Sequence, residues 1–151
     1  MKEKSGLVKY VLVVVALAVV ATVFIGRGSP ISEPVRAARK ANATMLIKAV
    51  RAAYLDPYER EKRFGLTKTR KGYIRLAIEG PAYVDVHPSK DAIIVNNNGL
   101  MDIYDDNGDG KYDSCFDCSV GWEPEQIQKD LQSGISVALQ VMGKQPQQIP
   151  R

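Results

Sequence analysis

Residues 73–104 read YIRLAIEGPAYVDVHPSKDAIIVNNNGLMDIY, a series of short strand-like segments. Runs rich in branched and aromatic residues alternate here with turn signals, which is typical of antiparallel strands joined by tight connections. Gly80-Pro81, Pro88 and the cluster from Asn96 to Gly99 mark the turns. The pattern predicts four strands, at 73–79, 83–86, 92–96 and 100–104.

Helical patterns flank this region on both sides. Before it, Ser32 is a fair N-cap, Pro34 fits a first turn, and residues 35–55 are rich in good helix formers. After it, apolar residues recur at helical spacing from Ile127 to Met142. We therefore predict an α+β domain, in which a small antiparallel sheet packs with two amphipathic helices. The first helix is expected to turn its basic residues outward: Arg36, Arg39, Lys40 and Arg51.

A long apolar run precedes the domain. Residues 7–25 read LVKYVLVVVALAVVATVFI, which is apolar apart from Lys9 and Tyr10. Its length suits a hydrocarbon core of about 30 Å, so a transmembrane helix is predicted over residues 7–26. A cleaved signal peptide is the main alternative, but the run is longer than the usual signal core of about 7–15 residues.

Composition divides the chain into five segments. Glycines and a proline just after the apolar run indicate a flexible break, and prolines with glutamines near the C-terminus indicate disorder. A close cysteine pair suits an oxidising compartment, which favours placing the domain outside the cytoplasm, in the periplasm or at the cell surface. The predicted segments are an N-terminal tail at 1–6, the transmembrane helix at 7–26, a linker at 27–31, an extracytoplasmic α+β domain at 32–143 and a disordered tail at 144–151.

The charge of the chain argues against a nucleic-acid partner. The formal net charge is +4, and the N-terminal residues 1–9 contribute +2 of it, from three lysines against one glutamate. A nucleic-acid binder normally carries a concentrated basic face, whereas the basic cluster here is diluted by Glu59 and Glu61. We interpret this cluster as a solvated connector that could contact anionic lipid headgroups if it lay beside a bilayer. It comprises Arg60, Lys62, Arg63, Lys68, Arg70, Lys71 and Arg75.

The sharpest chemical feature is the acidic run DDNGDGKYD at 105–113. It places oxygen-bearing side chains at loop positions 1, 3, 5 and 9, with Gly110 at position 6 for a sharp turn. Calcium takes about six to eight oxygen ligands, and a tight loop can supply alternate side chains because their neighbours, such as Asp106, face solvent. The pattern predicts a calcium site formed by the side chains of Asp105, Asn107, Asp109 and Asp113 and by the backbone carbonyl of Lys111.

At these residues the chain resembles the D-x-[DN]-x-D-G-x-x-D calcium loops of EF-hand-like, dockerin, integrin-propeller and thrombospondin type 3 proteins. It departs from a true EF-hand, because position 12 is Phe116 rather than glutamate and the incoming segment is a predicted strand. The resemblance implies a structural ion of modest affinity, with Asp117 as a residue that could replace the missing ligand. The alternative is a hairpin turn whose acidic residues serve solubility.

Cys115 and Cys118 form the only cysteine pair, with C-x-x-C spacing. A disulfide that staples the end of the acidic loop is the favoured interpretation. Redox chemistry of the thioredoxin type would require the motif at the start of a helix, where the dipole lowers the pKa of the first thiol. Zinc would lack further partners because His87 is the only histidine, and haem attachment is excluded because Ser119 stands where a histidine is required.

The sequence contains no glycine-rich phosphate loop, no nucleophile elbow and no second histidine, so neither an enzyme nor a small-molecule substrate is indicated. We expect a non-enzymatic accessory or scaffold subunit that enters the lipid bilayer through residues 7–26 and docks on other proteins. A thiol oxidoreductase that uses the cysteine pair is a weaker alternative.

A further alternative is a pilin-like filament subunit. The order of a hydrophobic helix, an amphipathic helix and a small sheet with a cysteine pair resembles the layout of that family, and a charged leader ends at Gly6. The fit is incomplete, because Lys9 enters the apolar run early and Val11 stands where pilins carry an acidic residue.

Overall fold

The structure is a computed structural model that describes residues 30–118 and 122–151. The predicted N-terminal tail at 1–6 and the predicted transmembrane helix at 7–26 lie outside these residues. Within the described ranges, none of the helices combines the length and the apolar character needed to cross a membrane. Residues 33–151 form one unit with its own apolar core.

The first described helix, α1, runs from Glu33 to Leu55, close to the predicted bounds. Glu33 lies in its first turn, where a negative charge complements the positive end of the helix dipole. The carboxylate of Asp56 then accepts a hydrogen bond from the Tyr58 N–H at 2.8 Å and starts a short turn that continues as π-helix over Glu59–Arg63. The buried face of α1 comprises Ala38, Asn42, Ala43, Leu46, Ile47, Val50 and Ala53.

Six short strands in the described part of the chain form one antiparallel sheet in which spatial order follows chain order. Each strand pairs with the next along the chain, as the closely spaced turn signals predict. The strands are β1 (Thr67–Lys68), β2 (Ile74–Ala77), β3 (Tyr83–Val86), β4 (Ile93–Asn96), β5 (Asp102–Asp105) and β6 (Ser114–Phe116).

Alternation along the strands gives the sheet two different faces. One face carries branched residues at every second position, and these pack in a single cluster with the buried residues of both described helices. The register places them opposite one another, as in the pairs Val84↔Val95 and Val95↔Ile103. The opposite face, defined here as the open face, carries Arg75, Tyr83, Asp85, Asn96, Asp102 and Tyr104.

The second described helix, α2, runs from Pro124 to Val141. Proline fits the first turn of a helix, where its missing N–H has no partner to lose. Gly134 lies in the middle of α2, and a Cβ atom there would overlap Val95 Cγ1 and lie 2.9 Å from Asn97 Oδ1. Glycine costs about 1 kcal/mol relative to alanine inside a helix, and here it allows α2 to approach β4 closely.

The α+β class, the antiparallel sheet and the two flanking helices are confirmed. The edge strands β1 and β6 were not predicted, because two or three residues are too few to show an alternating pattern. The expectation that Arg51 faces outward is wrong. Its guanidinium donates to the backbone oxygens of Lys90 and of His87, the latter at 3.0 Å, and so joins α1 to the turn between β3 and β4.

The predicted tail at 144–151 contains no helix or strand, but Gln147 attaches it to α1. The fully buried side chain of Asn42 donates to the Gln147 oxygen at 2.9 Å and accepts from the Gln147 N–H at 2.7 Å. A buried amide is stable in an apolar setting only when its polar atoms are paired. The tail therefore supplies the partner that a polar residue on the buried face of α1 requires.

Candidate metal site

The acidic loop connects two adjacent antiparallel strands, β5 and β6. Asp105 is the last residue of β5 and pairs with Ile93, so its side chain points toward the helix-covered face of the sheet. The Asp113 N–H donates to the Tyr104 oxygen at 2.7 Å and closes the loop. The connection is thus a hairpin loop in topology, which is compatible with both interpretations of the acidic run.

The carboxylate of Asp105 is the hub of the loop. Its Oδ1 accepts hydrogen bonds from the N–H groups of Gly108 at 2.8 Å and Asp109 at 3.2 Å, and its Oδ2 accepts one from Gly110 at 2.9 Å. The residue is completely buried. The backbone of the loop is therefore wrapped around one side chain, and this fixes its shape before any ion is bound.

Burial raises the pKa of the Asp105 carboxyl to about 6. The hydrogen bonds from Gly110, Gly108 and Asp109 oppose this effect because they stabilise the charged form, while the neighbouring carboxylate of Asp109 adds to it. Because burial outweighs the three N–H donors, the charged form of the Asp105 carboxyl is less favourable in the folded domain than in water. A cation beside Asp105 would favour the charged form and lower this pKa.

The three other predicted side-chain ligands lie nearer the surface, and each uses one side-chain oxygen within the loop. Asn107 Oδ1 accepts from the Asp109 N–H at 3.0 Å, and Asp109 Oδ1 accepts from the Lys111 N–H at 2.8 Å. Asp113 Oδ2 accepts from the Asp106 N–H at 2.7 Å. Asp109 and Asp113 each keep a second carboxylate oxygen, and the side chain of Asp106 is exposed, as predicted.

The predicted ligands share one loop, but their charged side chains are not gathered around a common point. Among residues 30–118 and 122–151, no group of three or more Asp, Glu, His or Cys side chains is placed to hold a metal ion. The oxygen-only donor set matches the preference of calcium, a hard cation. Completing the site would require the carboxylates of Asp109 and Asp113 to converge with Asp105.

Both helices hold the loop from outside. A Cβ atom at Gly110, whose φ is +77°, would overlap the Arg39 carbonyl of α1. Gln128 of α2 accepts from the Tyr112 N–H at 3.1 Å and donates to the Gly110 oxygen at 2.9 Å, and Gln132 donates to the same oxygen. The loop is therefore fixed between the sheet and both described helices.

Sequence reasoning missed the two glutamines of α2. Both lie on the buried face of the helix, between the core residues Ile127, Leu131 and Ile135. The available signal was a pair of polar residues, four positions apart, on an otherwise apolar helix face. Polar side chains are buried on such a face only when they have hydrogen-bond partners. Gln132 also keeps a buried Oε1 atom without a hydrogen-bond partner among the described residues.

The two cysteines lie at disulfide distance, with their Cα atoms 5.9 Å apart. Cys115 belongs to β6 and pairs with Ile103 of β5, so the motif does not begin a described helix. Phe116 and Asp117 between the cysteines are exposed, and Asp117 adopts a φ of +58°. The pair therefore lies at the end of the hairpin that contains the acidic loop.

His87 has a structural role in the turn after β3. Its Nδ1 accepts hydrogen bonds from the N–H groups of Ser89 at 3.1 Å and Lys90 at 2.9 Å, and its ring packs edge-on against Tyr73. Partial burial lowers its pKa below the ordinary value, which favours the neutral ring that these two bonds require.

Comparison of the chain with protein-family models, with curated proteins and with solved structures finds no match.

Proposed function

We propose that the chain is a membrane-anchored, non-enzymatic accessory or scaffold subunit, whose calcium-stabilised extracytoplasmic domain docks on other proteins. The observation that carries the proposal is the acidic loop, which is organised around buried Asp105 and held by Gln128 and Gln132. Because the loop contacts the sheet and both described helices, stabilising the loop would raise the stability of the whole domain. An ion bound there would act on the fold rather than on a substrate.

Calcium would be held by the side-chain oxygens of the four acidic and amide residues and by one backbone carbonyl. The ion would supply positive charge beside the buried Asp105 carboxylate, whose pKa burial raises. Binding to the folded state alone stabilises that state in proportion to the logarithm of the ion concentration. The proposed ligands remain Asp105, Asn107, Asp109, Lys111 and Asp113.

Two features support the proposed location. The apolar run at 7–25 is long enough for a membrane helix, and a disulfide between Cys115 and Cys118 would persist outside the reducing cytoplasm. Extracellular or periplasmic calcium at millimolar concentration would also suit a loop of modest affinity.

Membrane fractionation tests the anchoring. The full chain should remain in membranes after an alkaline carbonate wash. Protease added to cells whose cytoplasmic membrane is intact, but whose outer layers have been made permeable, should digest the domain. A variant that lacks residues 7–26 is the matched control and should be recovered in the soluble fraction. Release of the full chain by the wash, or a protease-resistant domain on the cytoplasmic side, would contradict the proposal.

A pilin-like filament subunit is the second candidate. The observation in its favour is that α1 packs along an antiparallel meander which ends in the cysteine pair. Mass spectrometry of the mature N-terminus separates the two candidates. A chain that begins at Leu7 would favour the filament subunit, and an intact Met1 would favour the anchored accessory subunit.

A further inference from the structure

The open face of the sheet contains a cleft of about 460 Å³ beside the β1–β2 hairpin. Neither described helix covers this face, since the residues of both helices pack in the core on the other side. Its walls include two tyrosines, Tyr73 and Tyr104, and its lining contains four cationic side chains but only two carboxylates. The cleft therefore combines a concave shape, aromatic surface and a net positive charge.

The floor of the cleft is a fixed polar network. The Arg75 guanidinium donates to both carboxylate oxygens of Asp85 at 2.7 Å and lies 3.5 Å from the centroid of the Tyr83 ring. The Tyr83 hydroxyl donates to Asp102 Oδ1 at 2.7 Å, and Asn96 donates to the same oxygen at 2.8 Å. Such a network keeps its side chains in place and leaves Asp102 Oδ2 available to a ligand.

The rim of the cleft carries three cationic side chains. Within the basic cluster, Arg60 pairs with Glu61 and Arg63 pairs with Glu59. No salt bridge to a described residue is formed by the three rim cations, which are exposed on the hairpin between β1 and β2. These are Lys68, Arg70 and Lys71.

We propose that this cleft is the docking site for an acidic segment of a protein partner, a proposal that rests on the scaffold function above. Carboxylates of the segment would pair with the rim cations, and its backbone N–H groups would find an acceptor in Asp102. Tyr73 and Tyr104 would supply contact area, since tyrosine and arginine are the residues that interfaces favour. Charge complementarity of this kind mainly sets partner choice and association rate.

The shape of the site favours a protein segment over a bilayer. Lipid headgroups reach protruding basic side chains, but a flat membrane surface does not reach the floor of a cleft. A narrow chain with both acidic side chains and backbone donors matches the two kinds of group present.

Titration with a defined probe tests the proposal. The full chain in neutral detergent is titrated against a fluorescein-labelled peptide of alternating glutamate and glycine, and the same peptide with glutamine in place of glutamate is the control. Anisotropy should rise only with the acidic peptide, and binding should weaken as salt is raised. The triple charge reversal K68E/R70E/K71E should weaken binding by about tenfold or more.

The matched control is K40E/K48E/K129E, which makes the same charge change at exposed positions on α1 and α2. It should leave affinity within about twofold of the native chain, because those lysines lie on the helices, away from the cleft. Equal losses in the two triple variants, or no binding of the acidic peptide, would overturn the proposal. Thermal melts of both variants establish that each is folded.

Nanodiscs that contain phosphatidylserine, titrated with the variant that lacks residues 7–26, form the second arm, and nanodiscs of phosphatidylcholine are the control. Binding of the phosphatidylserine nanodiscs but not of the peptide, dependent on the same three rim cations, would overturn the proposal and assign the face to a membrane. The membrane fractionation above depends on residues 7–26 and not on the cleft. A failed titration with a successful fractionation would therefore reject the docking site while leaving the anchored subunit intact.

Discussion

Replacing Gly110 with alanine tests whether the acidic loop is held against α1. The residue has a φ of +77°, in the region that favours glycine, and a Cβ atom would overlap the Arg39 carbonyl and lie 2.8 Å from Arg39 Cβ. The loop or the helix would have to move, because the obstacle includes backbone atoms. Gly143 offers a matched control, since its φ is +70° and nothing lies within 4 Å of its Cβ position.

One cause of destabilisation, the left-handed backbone, applies to both variants, and a second, overpacking, applies to G110A alone. The left-handed backbone costs roughly 1–2 kcal/mol with a Cβ atom, and this applies to both positions. Overpacking adds roughly 1–3 kcal/mol at Gly110 only. The expected loss of stability is therefore about 2–5 kcal/mol for G110A and about 1–2 kcal/mol for G143A. The difference corresponds to a fall in Tm of about 4–12 °C for a domain of this size.

Urea and thermal unfolding of the fragment from Pro30 to Arg151 provide the assay, with far-UV circular dichroism as the signal. Both variants should unfold in one transition with unchanged dependence on urea, so that midpoints compare stability directly. Equal destabilisation by G110A and G143A would refute the close packing of the loop on α1, and with it the claim that the loop stabilises the domain.

Three further predictions concern other parts of the structure. The variant N42A should lose about 1–3 kcal/mol and expose the Gln147 amide to rapid hydrogen exchange, whereas unchanged protection would contradict the anchored tail. At pH 7, R75M should lose about 2–4 kcal/mol by leaving the buried Asp85 carboxylate unpaired, and adding D85N should restore part of this loss; no recovery in the double variant would contradict the pairing. As pH rises from about 4 to about 6 in chelator, the free energy of unfolding should fall by up to about 3 kcal/mol, because the folded state keeps a proton on Asp105 that the unfolded chain releases. The variant D105N should lack this pH-dependent loss. A parallel pH dependence in the native fragment and D105N would contradict it.

Much of the fold was predictable because local patterns agreed with it. β3 and β4 are bounded by Gly80-Pro81, Pro88 and the Asn96–Gly99 cluster, and their ends match the prediction to within one residue. The buried side of α1 was harder to predict. Its alanines are spread around the helix, so the side that contacts the sheet depends on partners far away in the sequence, as the paired Asn42 and Arg51 show.

The acidic loop was visible from the sequence because its spacing is local. Gly110 could be assigned to a sharp turn, but its contact with Arg39 could not, since 71 positions separate the two residues in the chain. The contacts from Gln128 and Gln132 to the Gly110 oxygen span 18 and 22 positions, so the local spacing of the loop did not reveal them either. The cleft could not be predicted, because its basic rim is continuous in sequence with the charged segment at Glu59–Arg63. Only the pairing of β1 with β2 places Lys68, Arg70 and Lys71 beside the open face of the sheet.

Thermal unfolding of the Pro30–Arg151 fragment in calcium and in chelator tests the central claim most directly. For a dissociation constant of about 0.1–1 mM, about 10 mM calcium should stabilise the fragment by about 1.4–2.7 kcal/mol. D109N/D113N, which keeps the Asp105 hub, should lose this response while remaining folded in chelator. An unchanged Tm in calcium, or an equal rise in D109N/D113N, would contradict a calcium site in the loop.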